Sequence, residues 1–540
     1  MHSYSVLAAA LTQLLLVTSA SGAVLPGSIV PDDSSPSSKH VVRRDEDKKV
    51  VFKMDYFIQL INHDDPPFGY FKQRYWWNDE HYKGKGSPII LKAPSEGNGE
   101  DDLAYLTNDT LLGQFAEAVG GAIIVLEHRY WGKSSPYPEL TAETLQYLNV
   151  GNATADLVYF ARNVFLDFDK TQSSRPSKAP WVLSGASYSG ALAAWTNAIR
   201  PGTFWAYHCS SATVQALPDM SDSFNIAEAA MPRNCSADFQ KMIKHVDDVL
   251  TKKNYLARKY LKNQFGLGAM DDDNSFAAVL ALGPLRWQGA QFYTGYTELH
   301  RMCDYVENQW PGSTSNPTGA EGVGLHKALE GYGRFFQEVI IPENCDMKEL
   351  AKNNDTASCF STDNVETSPV YSDLSVDNTM GRQWRWLSCN EPLESWMTGG
   401  PNMKSGIVST LFTSDSLRSE CEQFFPTVNN HTYGLAKNRT ADDLNALTGG
   451  WDPGNAKRVM WVNGEYDMWR PATVSSQRRT GKPLESVYLI PKGMHASDIF
   501  VLNGQMNPEV GRIQRKLVSK MTTWVDEFYT KAGRQRPSRR

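Results

Sequence analysis

Short apolar runs recur in two groups along the chain, and a helix-like stretch separates members of the first group. That group is SPIILKAP (87–94), GAIIVLEHRYWG (121–132), WVLSG (181–185) and WAYHCSSATV (205–214). Each reads as a buried strand. Between them DLVYFARNVFLDF (156–168) has the look of a helix. Alternation of this kind predicts a parallel, doubly wound sheet. Two further strands are expected late, at KRVMWVNG (457–464) and ESVYLIPKG (485–493). A closing helix follows at RIQRKLVSKMTTWVDEFYTKA (512–532), whose apolar residues fall at helical spacing.

The middle of the chain is different. From about 216 to 440 it is helical in pattern, with loops rich in Asn, Asp and Ser. We read 216–440 as a mainly helical cap inserted between two halves of one α/β domain, 45–215 and 441–540. The first residues, 1–23, are apolar over a short span and then small and polar. They read as a secretory signal peptide, with Ser21 and Ala23 suiting the small-x-small cleavage rule. Residues 24–44, rich in Pro and Ser, end at Arg43-Arg44 and form a candidate propeptide.

Secretion changes how the cysteines and asparagines are read. Of seven cysteines, all but Cys209 lie between 235 and 421. An oxidising compartment favours pairing, so three bridges are expected among Cys235, Cys303, Cys345, Cys359, Cys389 and Cys421. Cys209, inside a strand, is expected to be the free, inert thiol. Six Asn-X-Ser/Thr sites are candidate glycan acceptors: Asn108, Asn152, Asn234, Asn354, Asn430 and Asn438. A 540-residue chain that is 41% hydrophobic has ample core. Its net charge of −6, with only a short basic tail, argues against nucleic-acid binding. No later segment is long and apolar enough to span a bilayer, and no CxxC or HExxH pattern supports a metal site. No cofactor is implied, and nothing bears on oligomeric state.

The chemistry concentrates at WVLSGASYSGALAAW (181–195). A strand running straight into a helix forces a tight corner, and the central residue needs small neighbours. The α/β-hydrolase nucleophile elbow meets that need with G-x-S-x-G. Here Gly185, Ala186, Ser187 and Tyr188 fit, Ser189 stands where the last Gly belongs, and Gly190 follows. In that fold an acid and then a histidine follow the serine. Asp467 is expected at the C-terminal end of one late strand and His495 at the end of the next, and no histidine follows residue 431 except His495. The expected roles are Ser187 as nucleophile, His495 as general base and Asp467 as the group that orients it. Asp498, the rival acid, is read as support for the local loop. The Tyr188 amide is expected to donate to the oxyanion, with Gly97 in PSEGNG (94–99) as the second donor.

Six segments carry a family resemblance: FKQRYWWND (71–79), EHRYWGKSSP (127–136), GASYSG (185–190), RQWRWLSCNE (382–391), NGEYDMW (463–469) and GMHASD (493–498). Together they resemble the secreted and lysosomal serine peptidases that include prolyl carboxypeptidase, dipeptidyl peptidase II and fungal prolyl endopeptidase. The resemblance implies an α/β-hydrolase fold with a helical cap, the triad above, and cleavage after proline in peptide or protein substrates. It also implies an aromatic proline pocket with Trp384, Trp386 and Trp469 as walls, which suits a rigid apolar ring with no N–H. His128 and Arg129 are read as structural supports. Three departures are visible: Met468 replaces the usual Pro, NEPLES follows Cys389, and APSEGNG matches the family's oxyanion loop poorly. Two alternatives are a vacuolar-type serine carboxypeptidase or esterase of the same fold, and a binding protein on a catalytically dead hydrolase scaffold.

Overall fold

The computed structural model describes residues 29–30, 40–45, 48–345, 356, 360, 369–378, 381–454 and 456–537. The expected signal peptide lies outside these. The strands are β1 (Ile29–Val30), β2 (His40–Asp45), β3 (Lys48–Leu60), β4 (Tyr70–Asn78), β5 (Ile89–Lys92), β6 (Ala122–Leu126), β7 (Trp181–Ala186), β8 (Ala206–Ser210), β9 (Val459–Gly464) and β10 (Val487–Ile490). Arg43 and Arg44 therefore fall within a paired strand, opposite Val50 and Lys49 of β3.

Among the described residues, ten strands form one sheet in the order β1-β2-β3-β4-β6-β5-β7-β8-β9-β10. Within β3–β10 only β4 runs against its neighbours, and β6-β5-β7-β8-β9-β10 are parallel. This is the α/β-hydrolase fold. All six expected strands are present. The β3–β4 hairpin was not anticipated from the apolar pattern, because polar side chains face its core. Gln59 and Gln73 are buried and hydrogen-bonded to each other at 2.9 Å.

Helices cover both faces, so each buried strand divides its side chains between two cores. On one face Ile89, Leu91, Ile124, Leu126 and Leu183 pack against α2 (Val150–Asn163) and α3 (Tyr188–Ile199). On the other, Ile90, Ile123, Val125, Val182 and Val462 meet α1 (Leu111–Val119) and a long C-terminal helix.

The segment between β8 and β9 is mainly helical and has its own core. It includes α4 (Arg233–Leu250), α5 (Glu298–Val306) and α6 (Leu325–Phe335). Cys235 and Cys303 bridge α4 to α5. A later helix, α7 (Arg382–Asn390), departs from a simple cap: Trp386, Leu387 and Cys389 join the core of the sheet's α2–α3 face. The bridge Cys389–Cys421 lies in the same core. Cys345 is also disulfide-bonded, and Cys359 lies outside the described residues. Cys209 is free and buried, as expected. The closing helix is α8 (Pro508–Lys531).

Candidate active site

Ser187 sits between β7 and α3 with φ 59° and ψ −130°, a strained region for a residue with a side chain. The corner explains its small neighbours. A Cβ on Gly185 would lie 2.2 Å from the Ser189 carbonyl oxygen, and one on Gly190 2.9 Å from that of Ser210. Position 189 tolerates serine because its hydroxyl serves the turn. It donates to the Ala186 carbonyl at 2.7 Å and accepts the Ala186 amide at 2.9 Å. The Ser187 amide donates to Ser210 on β8.

Asp467 follows β9 and is fully buried. His495 follows β10, and its Nδ1 lies 2.9 Å from Asp467 Oδ1. The same carboxylate oxygen accepts the Trp469 amide at 2.8 Å, which fixes its orientation. Burial opposes charge on His495, but the adjacent Asp467 outweighs it, aided by Glu96 and Asp498, so its pKa is raised. Gln291, from the helical segment between β8 and β9, donates to the His495 carbonyl at 2.8 Å.

Tyr188 begins α3 and is buried. Its hydroxyl meets His128 Nε2 at 3.1 Å. Burial pulls the His128 imidazole down to about 4, so it is neutral in the core. Arg129 holds the buried Asp156 carboxylate with Nε at 2.7 Å and Nη2 at 2.5 Å. Both residues support the scaffold.

Gly97 lies in the turn after β5, and that turn is clamped by two residues from the motif blocks. Arg74 donates to both oxygens of Glu127, at 2.9 and 2.7 Å, and also to Asn98 and Glu100. Glu127 in turn accepts the Gly99 amide at 2.9 Å. Glu96, beside Gly97, is buried, which raises its pKa, and it lies near enough to feel the charge of His495. Sequence reasoning missed Glu96. The signal available was a charged residue within the turn.

A narrow pocket adjoins these groups. Leu285, Trp384, Trp396, Met397, Leu417 and Trp469 supply its apolar wall, and Arg385 and Glu394 also line it. Two ring contacts tie it to the site. Trp384 packs edge-on against Tyr188 at 5.3 Å, and Trp469 lies 6.4 Å from the His495 ring. Trp386 does not line this pocket, contrary to expectation. It is fully buried, its indole N–H donates to the Leu148 carbonyl at 3.0 Å, and it packs against Phe425. Helical geometry accounts for this, since residues two apart point to different sides of α7. Trp396, which sequence reasoning passed over, is on the wall instead. Met468 is buried in the core of the helical segment between β8 and β9, where its flexible side chain adapts to the packing.

Of the candidate glycan acceptors, Asn108, Asn430 and Asn438 are exposed, and Asn234 is half-buried. Asn152 is corrected: it is buried on α2, and its side-chain oxygen accepts the His63 amide at 3.0 Å. Asn354 lies outside the described residues. Among the described residues no His, Cys, Asp and Glu cluster is suited to a metal ion, and no helix is long and apolar enough to cross a membrane.

Residues 59–517 match the family described as serine carboxypeptidase S28. The chain is 35% identical over 481 residues to serine protease vicPb of Bipolaris victoriae, spanning 88% of this chain and 89% of that one. It is 27% identical over 513 residues to a probable extracellular serine carboxypeptidase of Arthroderma benhamiae, covering 90% and 69%. It is 25% identical over 478 residues to thymus-specific serine protease of Mus musculus, covering 85% and 84%.

Proposed function

Since the chain belongs to the serine carboxypeptidase S28 family, we propose that this serine-type peptidase is secreted and cleaves on the C-terminal side of proline, using Ser187, His495 and Asp467. Its substrates are peptides or proteins. The observation that carries the reading is the Asp467–His495 hydrogen bond of 2.9 Å together with a serine held at positive φ at the C-terminal end of a parallel strand of the same sheet.

His495 takes the Ser187 proton on Nε2 as the oxygen attacks the substrate carbonyl. Nδ1–H meanwhile donates to Asp467, which stabilises the imidazolium. The tetrahedral oxyanion is held by the Tyr188 amide, at the positive end of α3, and by Gly97. When the intermediate collapses, His495 returns the proton to the leaving amine. Water repeats the cycle on the acyl-enzyme. The proline ring enters between Trp384 and Trp469, where flat apolar walls need no N–H from it. Secretion is supported by the disulfides and by the extracellular relative. The exposed sites Asn108, Asn430 and Asn438 are proposed glycan acceptors, with half-buried Asn234 behind them.

Mass spectrometry of products from a long peptide with internal and terminal prolines tests this reading. Cuts after proline are expected. Internal cuts mark an endopeptidase, and loss of end residues an exopeptidase. Ser187→Ala should lower kcat by about 10⁶ and abolish fluorophosphonate labelling. Full activity in that variant, or cleavage indifferent to proline, overturns the proposal.

A further inference from the structure

The end of β8 carries a buried polar network that the proposed chemistry does not use. The Ser210 carbonyl accepts the Ser187 amide at 2.9 Å. Its hydroxyl donates to Asp498 Oδ1 at 2.5 Å, three residues beyond His495. His208, two residues back on the same side of β8, meets Asp498 Oδ2 through Nε2 at 2.8 Å. The other ring nitrogen of His208 lies 2.9 Å from Ser184 Oγ. Ser184 is the register partner of His208 on β7, three residues before Ser187. Next along the chain, the Ser211 hydroxyl accepts the Ala496 amide at 2.9 Å. Gln514 of α8 donates to the Asp498 carbonyl at 3.0 Å.

Ser184, His208 and Ser210 are fully buried, and Asp498 is 1% exposed. Every member has a partner. His208 Nε2 donates to one carboxylate oxygen of Asp498, the Ser210 hydroxyl donates to the other, and His208 Nδ1 and the Ser184 hydroxyl share a hydrogen bond. A buried carboxylate is costly without such partners. Ser210 therefore touches both halves of the site: its backbone anchors the nucleophile and its side chain anchors the loop that carries the base.

The geometry points to Asp498 and His208 as positioning residues that lock the His495 loop onto the strand to which Ser187 is bonded. This inference rests on the triad reading above. The loop needs such a lock, since Ala496 holds a positive φ of 52° and His495 has to stay in line with Ser187. Misplacement by about 1 Å costs catalysis heavily.

The test uses the full secreted chain. In Asp498→Asn and His208→Ala, kcat should fall about tenfold or more with KM held within about twofold, because orientation and not substrate binding is lost. The double variant should lose no more than the worse single, since both cut one tether. His208→Gln, which can still donate to Asp498, should recover part of the loss. Folded variants with unchanged kcat, or a loss confined to KM, overturn the inference. If Asp498→Asn does not fold, Ser210→Ala removes one hydroxyl only and should still lower kcat, and an unchanged kcat there overturns it. Ser187→Ala separates the two readings. If that variant stays active, the triad fails and the tether with it. If it is dead while the tether variants behave as wild type, only the tether fails.

Discussion

Replacing Arg74 by Met tests how the motif blocks serve the site. Met keeps most of the aliphatic stem and deletes the charge. In the native protein the side chains of Arg74 and Glu127 are 5% and 0% exposed, so the pair is sheltered from solvent. After substitution Glu127 retains three donors: the Gly99 amide at 2.9 Å, the Lys133 amide at 3.1 Å and the Ser134 hydroxyl at 2.5 Å. It has lost its counter-charge. Breaking a buried pair from one side costs about 3–5 kcal/mol, and the surviving donors place the expectation near the lower end, about 3 kcal/mol. The stacking of the Arg74 guanidinium on Trp76 is lost too. Asn98 and Glu100 are released together, at the C-terminal side of the turn that holds Gly97. With Gly97 as the proposed second oxyanion donor, its displacement should cost about 10²–10³ in kcat, so activity and stability should fall together. Urea unfolding followed by tryptophan fluorescence, with kcat on a proline-containing peptide, reads both. Arg74→Met/Glu127→Met should be more stable than Arg74→Met alone, because no charge is left buried. A folded Arg74→Met protein with native unfolding midpoint and native kcat would refute the clamp.

Other expectations follow from single groups. As the proposed general base His495 works only when neutral, and Asp467 raises its pKa above the ordinary 6.5, so under that proposal kcat/KM should decline on the acid side from above pH 6.5. In Asp467→Asn burial acts without that charge, and the acid limb of the residual activity should move to lower pH; an unmoved limb in a pH–rate profile contradicts the assignment. Removing the bridge by Cys389→Ala/Cys421→Ala opens a loop of 32 residues, a loss of roughly 3–4 kcal/mol at 298 K that a shifted unfolding midpoint would reveal. Cys209 is buried and its thiol pKa is raised by desolvation, so a colorimetric thiol reagent should find no reactive thiol in the native protein and one after denaturation. Rapid native labelling would show that the strand end is open.

Much of the parallel sheet was legible because its strands are short and mostly apolar, the pattern of strands covered on both faces. The elbow was legible for a similar reason: steric limits at Gly185 and Gly190 leave few residue types that fit. The β3–β4 hairpin escaped notice because Gln59, Gln73 and Arg74 are polar yet face inward, paired with one another or with Glu127 and so hidden from any count of apolar positions. Trp386 and Trp396 show the complementary failure. Both are tryptophans in one stretch, and only the rotation of α7 and the course of the chain after it decide which is core and which is wall. Asn152 matched a glycan motif while its side chain was already committed to His63.

By itself the sequence determined which chemical groups are available and in what order the strands present them, since apolar periodicity and tight turns are local properties. Distances between groups far apart in the chain were decided only on folding. The 2.9 Å contact of His495 with Asp467, the grip of Arg74 on the Gly97 turn and the tether from Ser210 to Asp498 all join separate strands and loops. No local pattern encodes them, because each depends on the order of strands in the sheet and on helices packed over both of its faces.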